Sequence, residues 1–476
     1  MKNKITPIGL LIIAFSPFIF ASIINTLFNN DILTWFSIIL ILFFCYNKLI
    51  KTIESNSKKI FIFFSFTGLF LTLIASFFAL NLEGYQNFKS IVEFTTTDKH
   101  NSDLIGMSGV INKFNSIFKE EGLFNAIIFP YPSMGFYNNL LSPLKFGFAI
   151  TSMPGIGYYA LAIEAWWFNL IFYIICIYLY PTNTDNKIGN VFFANFLPFL
   201  ILPFAVPYDR EAIVVVAISV FVLMIIEKSK ITFSNLTALI ICLFLIFAHR
   251  VGYAPLIPIL FIYFFIARFN FYNKYLMKFS PLKAIMVFFT FILLASYFKQ
   301  LFILFGSGFG ITEVALDLLL SFDGSSQDTW QQFTTGISPI DNLAKTFFLL
   351  ITPFPFFQLF KSDSDGSFII RSVYISMNII PIFMIGKAFI ATMYIKRISS
   401  TNSSDFFLFI FALLFLIPIL TSPRTGPAYL IPSLSIMTIF LVRNGLKSKL
   451  IKSSFNIYFF SIFILHIAFL IVYRRF

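Results

Sequence analysis

Long apolar runs separated by short polar segments fill most of this chain of 476 residues. A helix needs about 20 apolar residues to cross a bilayer. The pattern therefore predicts an all-α polytopic membrane protein that forms a single integral membrane domain over residues 1–476. We place about 13 transmembrane helices at residues 6–26, 32–49, 60–80, 156–180, 188–206, 211–226, 235–249, 251–267, 282–304, 368–394, 406–421, 427–442 and 455–473.

Two connecting segments are much longer than the others and cover residues 81–155 and 305–367. The second contains an apolar stretch at 342–361 that two prolines break. We interpret it as a re-entrant or interfacial segment, because broken backbone at membrane depth needs shelter from the surrounding protein. Shorter apolar stretches at Gly122–Phe129 and Val314–Leu320 predict amphipathic helices that lie on the membrane or cap a cavity.

Basic residues are concentrated in alternate connecting segments, and this orients the predicted helices. With the N-terminus in the cytoplasm, the inner segments hold more than half of the 34 lysines and arginines, as the positive-inside rule requires. Both long segments then lie on the outer side. Lys2 and Lys4 precede a first run that is long and lacks an obvious cleavage site, so we interpret it as a retained helix.

The composition excludes several classes of protein. Only 12% of the residues are charged, against about 25% in a soluble domain. A net charge of +13 would suggest nucleic-acid binding in a soluble protein, but the positive inner segments account for it here, and we expect no nucleic acid as a partner. Cys45, Cys176 and Cys242 fall inside apolar runs without metal or redox spacing. We therefore predict no metal site and no cofactor.

Arginines stand at the ends of predicted helices on the outer side. They are Arg210, Arg250 and Arg424, and Arg371 near the start of another span is a fourth candidate. Arginine at a membrane boundary is costly unless it has a function or a partner. Since a guanidinium binds phosphate bidentately and stays charged, these arginines indicate a pocket for an anionic substrate.

Simpler interpretations of these segments remain open. Asp209 and Glu211 suit the N-terminus of a helix, although Arg210 between them is unfavourable there. Arg250 also fits a polar outer turn whose side chain extends to the lipid headgroups. The turn that carries Arg424 contains glycine and prolines, which would hold this side chain in place.

Three residues are candidate general bases. Glu83 lies where the span 60–80 meets the first long segment, and Glu164 lies inside the span 156–180. A carboxyl group within a membrane span is a functional candidate by default. A structural hydrogen bond, or a span that starts later, would explain Glu164 equally well. His249, next to Arg250, is suited to hydrogen bonding or proton transfer.

The order of these features resembles the Wzy-type O-antigen and capsular polysaccharide polymerases, and more loosely the C superfamily of glycosyltransferases. Residues 209–230 resemble the charged-pair helix of that group, 249–265 its arginine–tyrosine segment with Tyr253, and 422–437 its arginine-led penultimate segment. The resemblance covers about 130–450 as an order of features. One departure is that no clear acidic dyad follows the first helix, which argues against a metal-dependent mechanism.

The resemblance implies a metal-independent glycosyltransferase at the outer face of the bacterial inner membrane. Its substrates would be oligosaccharide repeat units linked to undecaprenyl diphosphate, which the enzyme joins into O-antigen or capsular polysaccharide. Arg210, Arg250, Arg424, Arg371 and Tyr253 would bind the substrate. Glu83, Glu164 or His249 would deprotonate the accepting hydroxyl.

Alternatives with similar needs for cationic residues stay open. An O-antigen ligase, or another glycosyltransferase that uses lipid-linked sugars, performs nearly the same chemistry. A lipid-linked oligosaccharide flippase or transporter would carry its charges along a central path rather than at one face. The resemblance also leaves open a chain-length regulator protein as a partner beside the lipid bilayer.

Overall fold

The computed structural model describes residues 6–81, 113–129, 157–180, 210–227, 231–249, 256–266, 408, 411–412, 414–415 and 431–443. Throughout these residues the regular structure is helical, with no β-strand. The helices are α1 (Pro7–Phe28), α2 (Asp31–Thr52), α3 (Ser55–Asn81), α4 (113–121), α5 (Leu123–Ile128), α6 (Gly157–Leu179), α7 (Arg210–Ile226), α8 (Phe233–His249), α9 (Leu256–Ile266) and α10 (Ile431–Arg443). Three described segments, namely α1, α2 and Ala162–Leu179 of α6, are long and apolar enough to cross a membrane.

Apart from α4 and α5, the described helices overlap predicted spans. α7, for example, covers Arg210–Ile226 where hydropathy places a span at 211–226, and α8 ends at His249 as predicted. Other expectations fall outside the described residues, namely the spans at 188–206, 282–304, 368–394 and 455–473 and the whole segment 305–367 with its stretch at 342–361.

Two short helices occupy part of the segment 81–155. The predicted helix at Gly122–Phe129 is observed as α5, which packs against α1. Ala126 and Ile127 of α5 are buried, whereas Phe124 is exposed. Gly122 joins α4 to α5 with a φ of 87°, a conformation that favours glycine because it has no Cβ. The position of α5 on the membrane stays a prediction.

The turn between α1 and α2 is fixed by side-chain and backbone caps. Asn29 adopts the left-handed conformation with φ 45°, and its N–H donates to the carbonyl of Asn25 at the end of α1. Asn30 then caps α2, because its Oδ1 accepts from the N–H of Leu33 at 3.0 Å. Each cap satisfies a backbone group that a helix end leaves without a partner.

The first three helices alternate in direction. Tight turns separate them, and contacts confirm the pairing: Ser16 Oγ lies 3.7 Å from Cys45 Sγ, and the rings of Tyr46 and Phe61 stack at 5.6 Å. Helices α1 and α3 therefore run in the same direction. Both lie in the first of two compact units, which comprises Met1–Leu179 and Phe199–Phe261.

Helix α6 runs antiparallel to α3 and α1. Trp166 Nε1 donates to the carbonyl of Ser65 at 3.0 Å, and the Tyr173 ring lies 5.9 Å from the Phe64 ring. The segment 81–155 between α3 and α6 contains no predicted span, so we expect α3 to end and α6 to begin on the same side of the membrane, and the two helices to run antiparallel. Since α1 is parallel to α3, α6 is antiparallel to α1 as well.

A tryptophan in α6 supplies the hydrogen bond that a proline in α1 cannot donate. Pro17 has no N–H, so the carbonyl of Ile13 four residues earlier lacks its helical donor. The indole Nε1 of Trp167 donates to that carbonyl at 3.1 Å in a fully buried contact. In a membrane such a freed carbonyl must find a partner within the protein, and this bond joins α1 to α6.

Helices α6 and α7 run parallel to each other. They pack together, and near their C-terminal ends the Tyr178 hydroxyl donates to Glu227 Oε1 at 2.5 Å. Helix α8 packs against α7 and follows it after a short connection, so α8 runs in the opposite direction. The N-termini of α6 and α7 therefore lie at the end of this unit where α8 finishes.

The second compact unit comprises Tyr180–Pro198 and Ile262–Phe476. Within it, α10 is buried from Ile431 to Val442. Ser433 Oγ donates to the carbonyl of Ala412 at 2.7 Å, so the described part of the predicted span 406–421 packs against α10.

Candidate functional site

Glu164 is a buried carboxyl group within α6. Only 2% of its surface is exposed, and among the described residues neither carboxylate oxygen has a hydrogen-bond partner. The helix begins at Gly157, before Glu164, so a span that starts only after Glu164 does not explain this residue. Within the part of the chain that the structure describes, no structural hydrogen bond explains it either. A buried polar group without a partner is costly, and each such group calls for an explanation, of which a catalytic role is one.

The helical spacing places Glu164 on the face of α6 that packs against α1. Trp167 and Phe168 follow it by three and four residues and so share its face. Trp167 bonds to the Ile13 carbonyl, and the Phe168 ring lies 5.1 Å from Phe15 and 6.0 Å from Phe18. Glu164 therefore lies about one turn nearer to the start of α6 than these contacts.

Arg210 opens α7 at the same end of the unit. The bond between Tyr178 and Glu227 fixes the register of the two parallel helices. At 1.5 Å per residue, Glu164 lies about 21 Å along α6 from Tyr178, and Arg210 lies about 25 Å along α7 from Glu227. The two backbone positions thus differ by about one helical turn in depth, with Arg210 nearer to the end.

His249 closes α8 at this end as well. Helices α7 and α8 are an antiparallel pair of equal length, so the last residue of α8 lies level with the first residue of α7. We call the end of the first unit defined by Phe28 of α1, Gly157 of α6, Arg210 of α7 and His249 of α8 the site end. It is the C-terminal end of α1, because α1 runs opposite to α6.

Three residues that the sequence singled out on different helices thus occupy one end of one unit. Glu164, Arg210 and His249 come together because parallel α6 and α7 start there and α8 returns to it. The arrangement places a buried carboxyl group inside the helix layer and the backbone positions of Arg210 and His249 at its edge. These groups suit the binding of an anion beside a group that accepts a proton.

The other predicted site residues lie outside the described residues. They are Glu83, Arg250, Tyr253, Arg371 and Arg424. In the sequence, Glu83 follows the last residue of α3 by two positions and Arg250 follows His249 directly. Their roles stay predictions from the sequence. Within the described ranges, no cluster of three or more histidine, cysteine, aspartate or glutamate side chains could hold a metal ion.

Two buried polar residues of α1 were not predicted. Ser22 is fully buried and Asn25 is 2% exposed, and they follow Phe18 by four and seven residues on the face that meets α6. Their helical spacing within an otherwise apolar run was the signal in the sequence that could have indicated a shared polar face. Sequence reasoning passed over them because neither residue is charged and the contact of α1 with α6 was unknown.

No protein-family model matches this chain, and neither a curated protein nor a solved structure matches it significantly.

Proposed function

We propose that this protein is a metal-independent glycosyltransferase of the outer face of the bacterial inner membrane. It joins oligosaccharide repeat units carried on undecaprenyl diphosphate into O-antigen or capsular polysaccharide. We include in this proposal about 13 transmembrane helices and a cytoplasmic N-terminus. The resemblance of the arginine-bearing segments to the Wzy-type polymerases supports it.

One observation carries the proposal. Glu164 is buried, with no hydrogen-bond partner for its carboxyl group among the described residues, and it lies within about one helical turn in depth of Arg210, at the end of the unit where His249 also lies. A diphosphate needs a cationic residue at the membrane boundary, and a hydroxyl nucleophile needs a proton acceptor nearby. A buried carboxyl and an arginine at one end of a helix layer supply these two functions.

The proposed reaction is a displacement at the anomeric carbon of the donor. The acceptor hydroxyl oxygen forms a bond to that carbon, and the bond from the carbon to the diphosphate oxygen breaks. Undecaprenyl diphosphate leaves with the electron pair, and Arg210 and Arg250 offset its developing charge. The hydroxyl proton passes to a base, for which Glu164 is our first choice and Glu83 and His249 are alternatives.

The first test uses a deletion strain of the host, with its surface polysaccharide separated by length. Loss of this protein is expected to leave a single repeat unit where the wild type shows a ladder. Complementation with Glu164→Gln or Arg210→Ala should not restore the ladder at an equal amount of protein in the membrane. Loss of a general base typically lowers a rate by about 10²–10⁴-fold.

Two matched variants control for charge changes elsewhere. Glu54→Gln makes the same change at an exposed carboxylate, and Lys59→Ala removes an exposed cation. Both residues lie at the opposite end of α3 from Asn81, and both variants should restore the ladder. A normal ladder with Glu164→Gln and Arg210→Ala would refute the site.

The same strain separates the alternative functions. A ladder that is made but stays on its lipid carrier would identify a ligase. Loss of lipid-linked repeat units from the outer face would identify a flippase or another transporter. Either result would contradict polymerisation as the activity of this protein.

A further inference from the structure

The proposed function does not use the α4–α5 hairpin, which comprises residues 113–129. Lys113 Nζ at the start of α4 lies 5.6 Å from the centre of the Phe129 ring, just after the end of α5. The two helices therefore fold back on each other, with the bend at Gly122. Because Ala126 and Ile127 are buried and α5 packs against α1, the hairpin is attached to α1.

The connections of the hairpin place it at the site end. A helix that crosses a bilayer needs about 20 residues, and α5 has only 6. The segment 81–155, in which the hairpin lies, contains no predicted span. We therefore expect the hairpin on the side of the membrane where α3 ends and α6 begins, which is the side of the site end.

Helix α5 has three sides of different character, because successive residues of an α-helix are about 100° apart around its axis. Ala126 and Ile127 form a buried side. Phe124, which is 74% exposed, and Ile128, which is 37% exposed, lie one turn apart and form an exposed apolar side. Asn125 is exposed on a third side. Around the axis, the exposed apolar side thus lies between the side that faces the protein and the polar side.

The polar side of α5 continues into the charged end of α4. Asn125 Nδ2 donates to the carbonyl of Glu121 at 3.2 Å, and the side chains of Lys119, Glu120 and Glu121 are exposed. Lys113 is exposed as well, so two lysines of the hairpin are balanced by two glutamates. This side suits contact with water, and its balanced charges give no net attraction to an anionic lipid surface.

The exposed apolar side of α5 requires an apolar cover, because contact between apolar surface and water is unfavourable in proportion to its area. At the site end, α1 exposes Leu27 and Phe28, and α1 is long and apolar enough to cross a membrane. A bilayer that covers these two side chains meets water at the end of α1 where the hairpin is attached. The order of protein, lipid and water around α5 is that of a helix at such a boundary.

We propose that the α4–α5 hairpin anchors the first outer segment to the lipid bilayer through Phe124 and Ile128. These two side chains enter the region between the headgroups and the acyl chains of the outer leaflet, while Asn125 and the charged end of α4 stay in water. Because the exposed charges of the hairpin balance, the insertion is apolar and requires no anionic lipid. The inference is independent of the proposed enzyme activity.

Single-cysteine variants test the anchor. Phe124→Cys and Ile128→Cys probe the apolar side, and Asn125→Cys is the matched control on the same helix. They are made in the full chain after its three native cysteines have been replaced by alanine. Each protein is labelled with bimane and reconstituted into phosphatidylcholine vesicles with or without phosphatidylglycerol. Quenching of the fluorescence is measured with lipids that carry a nitroxide near the headgroup, and with iodide on both sides of the vesicle membrane.

The nitroxide lipid should quench the labels of Phe124→Cys and Ile128→Cys at least about threefold more strongly than the label of Asn125→Cys, in both kinds of vesicle. Iodide should act in the opposite order. If one of the two apolar variants fails to fold, the other gives the same comparison. Equal quenching by lipid at all three positions would overturn the anchor.

Two further results would also overturn it. Protection of the Phe124→Cys label from both quenchers would show that protein, such as another part of the chain or a second copy, covers this side. Lipid quenching that requires phosphatidylglycerol would show that charge, rather than the apolar side of α5, brings the hairpin to the membrane.

Discussion

The indole N–H of Trp167 donates to the carbonyl of Ile13 at 3.1 Å, and this carbonyl is the one that Pro17 deprives of its helical donor. The bond compensates a defect in α1 with a side chain of α6. It also positions the face of α6 that carries Glu164. The packing of the candidate site therefore depends on a proline and a tryptophan that lie far apart in the sequence.

We expect Trp167→Phe to destabilise the protein by about 1–3 kcal/mol, because the Ile13 carbonyl is then buried without a donor. Pro17→Ala restores a backbone N–H to α1. In that background Trp167→Phe should cost clearly less, since the carbonyl has a helical donor again. Thermal unfolding of the four proteins in detergent measures the coupling between the two positions. Equal costs in both backgrounds would show that the indole bond does not replace the missing donor.

Glu164→Leu should make the protein more stable while abolishing polysaccharide assembly. The buried carboxyl has no hydrogen-bond partner among the residues that the structure describes, so an apolar side chain of similar size removes an unfavourable contribution of about 1–3 kcal/mol. Stability that rises as activity falls is typical of a site residue. The melting temperature and the polysaccharide ladder are measured on the same variant. A clear loss of stability would indicate that Glu164 has a structural role.

Tyr178→Phe should weaken the register between α6 and α7. The Tyr178 hydroxyl donates to a carboxylate oxygen of Glu227, and hydrogen bonds to charged groups contribute about 1.5–3 kcal/mol. Glu227→Gln keeps an acceptor at this place and should have the smaller effect. Unfolding in detergent gives the comparison. If Tyr178→Phe melts like the wild type, this bond does not hold the two helices in register.

Arg210→Lys should recover less than half of the activity that Arg210→Ala loses. Lysine keeps the positive charge but lacks the planar fork that binds two phosphate oxygens. The rate of chain growth in the complemented strain distinguishes the two contributions. Full activity of Arg210→Lys would mean that charge alone is required, and full activity of Arg210→Ala would remove this residue from the site.

The turn between α1 and α2 should face the outside of the cell. We expect a cysteine introduced at Asn30 to react with a membrane-impermeant thiol reagent added to intact spheroplasts. A cysteine at Glu54, in the turn at the opposite end of α2, should react only after lysis. The native Cys176 and Cys242 are buried and should contribute little background. The reverse pattern of labelling would place the site end in the cytoplasm.

Hydropathy predicted the helices well where the structure describes them, because a long apolar run can satisfy its backbone in a membrane only by forming a helix. It also singled out Glu164, since a charge inside such a run is conspicuous. The register of α6 against α7 could not be predicted, because it depends on a bond between Tyr178 and Glu227 that joins distant parts of the chain.

The partners of α1 could not be predicted either. Nothing in the run from Pro7 to Phe28 shows that Trp167 would donate to the carbonyl that Pro17 leaves without a donor, or that Asn25 would be buried. These relationships depend on which helices become neighbours and in which direction they run. The sequence predicted Glu164, Arg210 and His249 as candidates, and only the packing of the helices places them at one end of one unit.

The most direct measurement is the length of the polysaccharide made by purified protein in liposomes that contain the host's lipid-linked repeat units and no other protein. We expect the wild type and Glu54→Gln to convert single units into longer chains and to release undecaprenyl diphosphate. Glu164→Gln, equally well folded, should be slower by at least about 10²-fold. Failure of the wild type to lengthen any chain would contradict polymerisation as its activity. Equal rates for Glu164→Gln and Glu54→Gln would contradict the role of Glu164 as the base.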